Sequence, residues 1–461
     1  MRSVGALTCV FAVATTAGFT SAGPVVAGPV GGHDGLLPEG AELGGFVLEV
    51  PRQVLTVEAL GSTQNFLVAL GNLAFSSPQI MGGLARRVGL SCATCHEGGD
   101  VTAKFFIPGH SAKPGSFDVT GALFNPKTDD RLVNPVDIPS LRGVRFTAPF
   151  GRDGRFGTLA DFTRNAIVNE FGGAEPAPII VDALVAYTQQ FDFLRSPHLD
   201  DNGRLRDDAP GAARRGQALF IKPFDQMGGQ SCASCHIPTA LYVDRRSHDV
   251  GTGGLYDTPS LLNIRFTQPY FHDGRADTLR EVVEHFDAFF ELGLTDAEAA
   301  DMTAYLEAIG DVEEPWVMKT LESDMAELEV FSSVLDVTLE DGDYALTRLA
   351  VDTINGELGE IQERWYRPED HEVQGIVGDW IVQLRHVEGY AGEGEWDRAR
   401  EALAGYRELV RARLPAVQAA ERRSLYDPKV LEGYLAELRG RAPVAEPQRS
   451  PADVVPSSRT E

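Results

Sequence analysis

"SCATCHEGG" (Ser91–Gly99) and "SCASCHIPT" (Ser231–Thr239) are two copies of one short pattern, Cys92, Cys95 and His96 in the first and Cys232, Cys235 and His236 in the second. A CxxCH pattern is the attachment signature of c-type haem: two thiols one turn apart add to the two vinyl groups, and the next His lies under the iron. A lone match also fits a disulfide, half a zinc site or a thioredoxin-like redox pair. Two matches, each with its His, in a chain whose fifth cysteine, Cys9, falls in an export signal, select haem. Two covalently bound haem c groups are expected.

The sequence around the motifs is doubled as well. "PSLRGVRFTAPFGRDGRFGTL" (139–159) returns as "PSLLNIRFTQPYFHDGRADTL" (259–279), "LGNLAFSSPQ" (70–79) as "RGQALFIKPF" (215–224), and "DALVAYTQQF" (182–191) as "DMTAYLEAIG" (301–310). Internal duplication accounts for all three. The expected fold is mainly α: a first cytochrome c domain at 65–198, a second at 199–312, then a helical bundle at 313–440. In that last part apolar residues recur at helical spacing, as in Ala350, Ile354, Leu358 and Ile361, then Val373, Val377, Trp380, Leu384 and Val387, then Ala399, Leu403, Tyr406, Val410 and Leu414. "LEDGD", "RPED" and "GEGE" break the runs. His371 and His386 lie too far apart there for joint ligation and read as packing residues.

The ends and the charge bound location and partners. Arg2, the apolar run Val4–Phe19 and a cut after Ala22 read as a signal peptide over 1–22, followed by an N-terminal segment, 23–64, and a periplasmic mature chain. No later stretch is long and apolar enough to span a membrane. The tail at 441–461, rich in Pro, Ser and charge, is expected to be disordered. A formal net charge of −26 excludes nucleic acid as a partner and suits a basic electron donor such as a small monohaem cytochrome c.

The run "TPSLLNIRFTQPYFHDGRADTLREVVEHF" (Thr258–Phe286) resembles the second-domain signature of the bacterial dihaem cytochrome c peroxidase and MauG family, and the likeness extends over 65–310. The resemblance implies that the first haem activates hydrogen peroxide and the second relays electrons from a donor protein. It makes His96 and His236 the proximal ligands. It places His110 near a distal His that ligates the first iron at rest, a loop His being the alternative, and Glu170 at the family's acid-and-base Glu, with Phe171 where Met usually follows and Phe162 where relatives have Gln. It also implies a calcium ion between the domains, held by Asp137, Thr267 and Pro269, unless Asp137 is simply a turn residue.

Two departures stand out against that family. Arg152 occupies the position of a relay Trp, while the four Trp of this chain, Trp316, Trp365, Trp380 and Trp396, all follow the haem motifs. Arg152 suits a clamp on haem propionates better than a hole relay, a surface turn being its other reading. Its counterpart is His272, and both are expected to point at the domain interface. Phe286 stands where an axial Met or Tyr is found, which leaves a five-coordinate haem, or His285 or His272 as substitute. The functions to weigh are therefore peroxide reduction, MauG-like oxidation of a protein, which the missing Trp disfavours, and a non-enzymatic dihaem electron carrier or redox sensor.

The purified chain is expected to keep two haems through acid–acetone extraction, and Cys232→Ala to weaken attachment at the second motif only. One haem per chain, or zinc in its place, would overturn the reading.

Overall fold

The helix Asn65–Ser76 crosses the helix Pro178–Thr188 so closely that a Cβ on Gly71 would stand 2.0 Å from the carbonyl oxygen of Ala183. The helix Gly211–Phe220 crosses Asp296–Gly310 in the same way, with Gly216 at 2.0 Å from the Asp301 carbonyl oxygen. Only glycine allows backbones this near. One turn on, Phe75 meets Tyr187 edge-on at 5.2 Å and Phe220 meets Tyr305 at 4.9 Å. The repeated Gly–x–x–x–Phe and Tyr positions are thus the locks of two equivalent helix crossings, each beside a CxxCH segment.

This computed structural model describes residues 35–43, 65–313 and 319–441; the expected signal 1–22, most of segment 23–64, Trp316 and the tail beyond Arg441 lie outside them. The fold is mainly helical. Its strands, among the described residues, form two small antiparallel pairs, Ser116–Phe117 with Val136–Asp137 and Ser247–Asp249 with Leu255–Asp257. Each pair feeds a Pro-Ser-Leu turn, a short 3-10 turn, and a cis proline, Pro149 in the first unit and Pro269 in the second. No described helix is long and apolar enough to cross a membrane.

Five helices follow, Leu321–Asp341, Tyr344–Glu363, His371–Gly392, Trp396–Ala420 and Pro428–Arg441. The helical periodicity of the sequence lands where expected: Ala350, Ile354, Leu358, Val377, Trp380, Leu384 and Val387 are fully buried, while His371 and His386 are exposed. One element exceeds the sequence reading. The apolar core of the bundle is continuous with that of the first unit, joining Leu70, Leu73, Phe75, Leu184 and Phe191 to Val330, Val334, Val351 and Ile354. Thr353 donates to Ser77 across the seam, 2.8 Å and buried. The bundle therefore packs on Asn65–Ser76, the first of the described helices, and shares its stability.

Gly216→Ala is expected to destabilise by about 3 kcal/mol, because a rigid backbone carbonyl must move. Gly375, exposed in the helix His371–Gly392 with open space around it, is the control: Gly375→Ala is expected to stabilise by about 1 kcal/mol. Urea unfolding of both variants checks the pair.

Candidate haem-attachment sites and the joint between them

Both CxxCH segments are built alike. Cys92–Cys95 and Cys232–Cys235 are single helical turns, capped by Ser91 with Thr94 and by Ser231 with Ser234, and each His closes its turn through its backbone N–H on the carbonyl of the first Cys, at 2.9 and 3.0 Å. All four cysteines are free thiols. Burial pushes Cys92 up to about 12 and Cys232 up to about 11, and raises Cys95 and Cys235 in the same direction. A redox-active CxxC needs a thiol of lowered pKa, so these pairs are unsuited to thioredoxin-like exchange. Burial likewise pushes His96 down to about 4 and lowers His236, keeping both imidazoles neutral, as an iron ligand must be. Adjacent neutral thiols and a neutral, buried imidazole on one turn fit covalent haem.

The imidazoles of His96 and His236 are supported differently. His236 Nδ1 lies 3.1 Å from the Tyr242 carbonyl, which fixes the tautomer and leaves Nε2 for the metal. Tyr242 is itself pinned, its hydroxyl donating to Gly203 O at 2.6 Å and lying 3.2 Å from that of Tyr305. His96 Nδ1 is buried without a hydrogen bond, although the Pro139 carbonyl faces it.

Glu170 sits on a turn that the sequence did not announce. The backbone closes there in a π-turn, Phe171 N–H donating to Ala166 O at 3.1 Å, a geometry that often marks functional positions. Asn165 Nδ2 donates to Glu170 Oε1 at 3.0 Å, and burial pushes the carboxyl up to about 7 against the pull of Arg155. The carboxyl is near enough to Cys95 to raise its thiol. The segment 111–130, which has no counterpart in the second unit, braces this turn: Asn125 and Thr128 each donate to Asn169 O at 2.7 Å. An aromatic row runs from His110 through Phe117 and Phe124 to Phe171, with centroid spacings of 6.4, 5.3 and 5.7 Å. His110 and Glu170 thus sit at opposite ends of one wall, and Phe162 packs edge-on against Phe156.

In the second unit Phe286 lies among Phe271, Phe290 and His285. His285 Nε2 donates to the Val250 carbonyl at 2.8 Å, which commits that nitrogen. His272 stacks on Tyr256 at 3.6 Å, with Asp273 4.0 Å from its Nε2. Cys235, Asp244 and His248 bring their ligand atoms within 4.8 Å of one another, and Asp244 accepts from His248 at 2.7 Å. This cluster could take a metal ion only while the Cys235 sulfur is free of haem.

The two copies of the Asp-Gly-Arg turn meet at a joint of reciprocal contacts. Asp137 N–H donates to the His272 carbonyl, and Asp257 N–H donates to the Arg152 carbonyl, both at 2.9 Å. These residues hold equivalent positions in the repeat. Around them Ser247 donates to Asp153 O at 3.2 Å and Lys113 pairs with Asp277 at 2.6 Å. The Arg152 guanidinium turns inward: Nη2 donates to Asp137 Oδ2 at 2.7 Å and also to the Asp137 carbonyl. Burial pushes Asp137 up to about 7, with Arg152 opposing. Arg152 and His272 both lie at this joint of the two repeats. Of the guanidinium, Nε and Nη1 remain for the expected propionate clamp.

The expected calcium position does not fit this arrangement. Calcium takes six to eight oxygens, yet both the carbonyl and Oδ2 of Asp137 are already turned onto a cation. The resemblance names only two further oxygens, the main-chain carbonyls of Thr267 and Pro269.

Comparison with known proteins adds to the geometry. Residues 212–334 match the sequence model of the family "Di-haem cytochrome c peroxidase", running past residue 312 into the helix Leu321–Asp341. The gamma subunit of hydrazine synthase from Kuenenia stuttgartiensis is 26% identical over 230 residues, covering 37% of this chain and 63% of that one. The methylamine utilization protein MauG of Methylorubrum extorquens is 27% identical over 292 residues, 52% of this chain and 77% of MauG. A cytochrome-c peroxidase of Denitromonas iodatirespirans is 34% identical over 83 residues, 16% and 21% of the two chains. The chain thus spans less than two thirds of the first of these relatives.

Glu170 makes stability depend on pH. Its folded-state value, about 7, lies above the ordinary 4.5, so the folded protein keeps a proton that the unfolded chain has already released. Its contribution is present below 4.5 and is lost as pH rises through 7. Glu170→Gln is expected to flatten the fall in Tm between about pH 5 and about pH 8 relative to wild type. Parallel Tm profiles for the two proteins would show that Glu170 releases its proton as an exposed carboxylate does.

Proposed function

We propose that this chain, which carries a domain of the di-haem cytochrome c peroxidase and MauG family, is a two-haem oxidoreductase that reduces hydrogen peroxide with electrons from a small donor protein. It is read as two tandem cytochrome c domains, 65–198 and 199–312, with the bundle at 313–440, in a chain exported to the periplasm. Haem, attached at Cys92 and Cys95 and at Cys232 and Cys235, would supply the redox-active iron, with His96 and His236 as its protein ligands. Reduction of peroxide to two waters consumes two electrons and two protons.

The observation that carries this reading is the braced carboxyl of Glu170. Asn165 occupies Oε1, which leaves Oε2 to take a proton from one peroxide oxygen and return it to the other. A pKa near 7 suits both halves of that task at neutral pH. Asn125 and Thr128 hold the turn, so the carboxyl need not reorganise. His110, at the far end of the aromatic wall, is proposed as the movable distal residue. The acidic surface favours a basic donor.

A second reading, a dihaem electron carrier without peroxide chemistry, is favoured by Phe286, which cannot ligate iron, and by Arg152, which cannot be oxidised as an indole can. Hydrazine synthase subunit gamma shows that a related chain is found as a subunit of a larger enzyme.

Peroxide-dependent oxidation of a reduced monohaem cytochrome c distinguishes the readings. Wild type is expected to turn over, with the rate rising as Glu170 ionises through about 7, and Glu170→Gln to lose about 10²- to 10⁴-fold and that pH limb. A wild-type protein that holds both haems but leaves the donor reduced would establish the carrier.

A further inference from the structure

We infer that Arg152 is the built-in cation of the joint between the two units, and that its guanidinium takes the place of a divalent ion there. Asp137 brings a carbonyl oxygen and a carboxylate oxygen to one point at the interface, and both accept from Arg152 Nη2. The carboxylate is nearly inaccessible, 9% exposed, and Arg152 is 28% exposed, so the pair is partly desolvated and poorly screened. The same aspartate receives the other unit: its N–H donates to the His272 carbonyl, while the Arg152 carbonyl accepts from Asp257 N–H. One residue therefore closes the joint twice, through its backbone across the interface and through its side chain onto Asp137.

The chemistry explains why a guanidinium serves. Two oxygens of one residue, facing the same way, need a positive centre between them. A fixed arginine provides it with directed N–H groups and no dehydration of a free ion. An ion placed on the same oxygens would lie against the guanidinium and be repelled by it. Asp137 Oδ1 stays buried without a hydrogen bond, so removal of the arginine would free three oxygens of one residue for a hard cation. Lysine at this position would keep the charge as a point and lose the fork.

Thermal unfolding of the holoprotein with excess EGTA and with millimolar calcium chloride tests the inference. Wild type is expected to show the same Tm in both. Arg152→Ala is expected to unfold at lower temperature in EGTA and to recover roughly 2–4 °C in calcium, whereas Arg152→Lys is expected to remain indifferent to calcium. Loss of wild-type Tm in EGTA, or stoichiometric calcium in the purified wild-type protein by elemental analysis, would overturn it. So would an Arg152→Ala protein whose Tm calcium does not move. If the alanine variant fails to fold, the wild-type chelation result and the lysine variant still decide.

Discussion

Two backbone hydrogen bonds, Asp137 N–H to His272 O and Asp257 N–H to Arg152 O, set the relation of the two halves of this molecule. They are the same bond made twice by equivalent positions of a duplicated sequence, so neither turn can shift without its partner. Because backbone groups make them, they constrain side chains only through the turn conformation. That leaves positions 152 and 272 free to differ. The side chain of Arg152 is spent on a buried carboxylate and that of His272 on a stack with Tyr256, so a common scaffold carries a charge on one side and an aromatic pair on the other.

The first unit carries more support than the second. Asp100, four residues past His96, is held by Arg142 at 2.8 Å with both side chains almost fully buried, and the second unit has Leu262 where Arg142 stands. Loss of one partner of such a pair costs about 3–5 kcal/mol, since an uncompensated charge is left inside. The segment 111–130 braces the Glu170 turn, and the bundle packs on the helix Asn65–Ser76. The second unit is fastened at the His236 imidazole instead, through Tyr242 and Tyr305. The reinforcements differ in what they fix: a carboxyl in the first unit, an imidazole in the second.

Much of this was legible in the residues. The CxxCH segments, the repeat and the apolar periodicity of the bundle are local patterns, and the chain makes them where they occur. Arg152 and His272 were expected at an interface only because the family resemblance implied it, and the repeat merely pairs them. What could not be read was whatever depends on contacts between distant segments. The shared core through Leu73 and Val334 leaves no periodic mark, and Asn125 looks like any loop asparagine until the turn carrying Asn169 lies beneath it. The π-turn before Glu170 is equally silent in the sequence, being one extra residue in a helix ending. The expected calcium position had a matching residue list, but a list of oxygens does not show which cation already lies among them.

With arginine at position 152, the joint sets how an oxidising equivalent could pass between the units. An oxidising equivalent passing between the units needs groups that can give up an electron, and a guanidinium paired to a carboxylate is a poor one. Tyr256 stacks face to face on His272 at 3.6 Å and directly precedes Asp257, the residue whose N–H holds the Arg152 carbonyl. The aromatic pair at the joint therefore belongs to the second unit, beside the same backbone bond. Oxidation of a phenol releases its proton, so conduction through Tyr256 would be coupled to pH in a way that an indole is not. Substituting Trp at 152 would supply an oxidisable ring and at the same time strip Asp137 of its cation, so electronic coupling and the integrity of the joint are bound to one side chain.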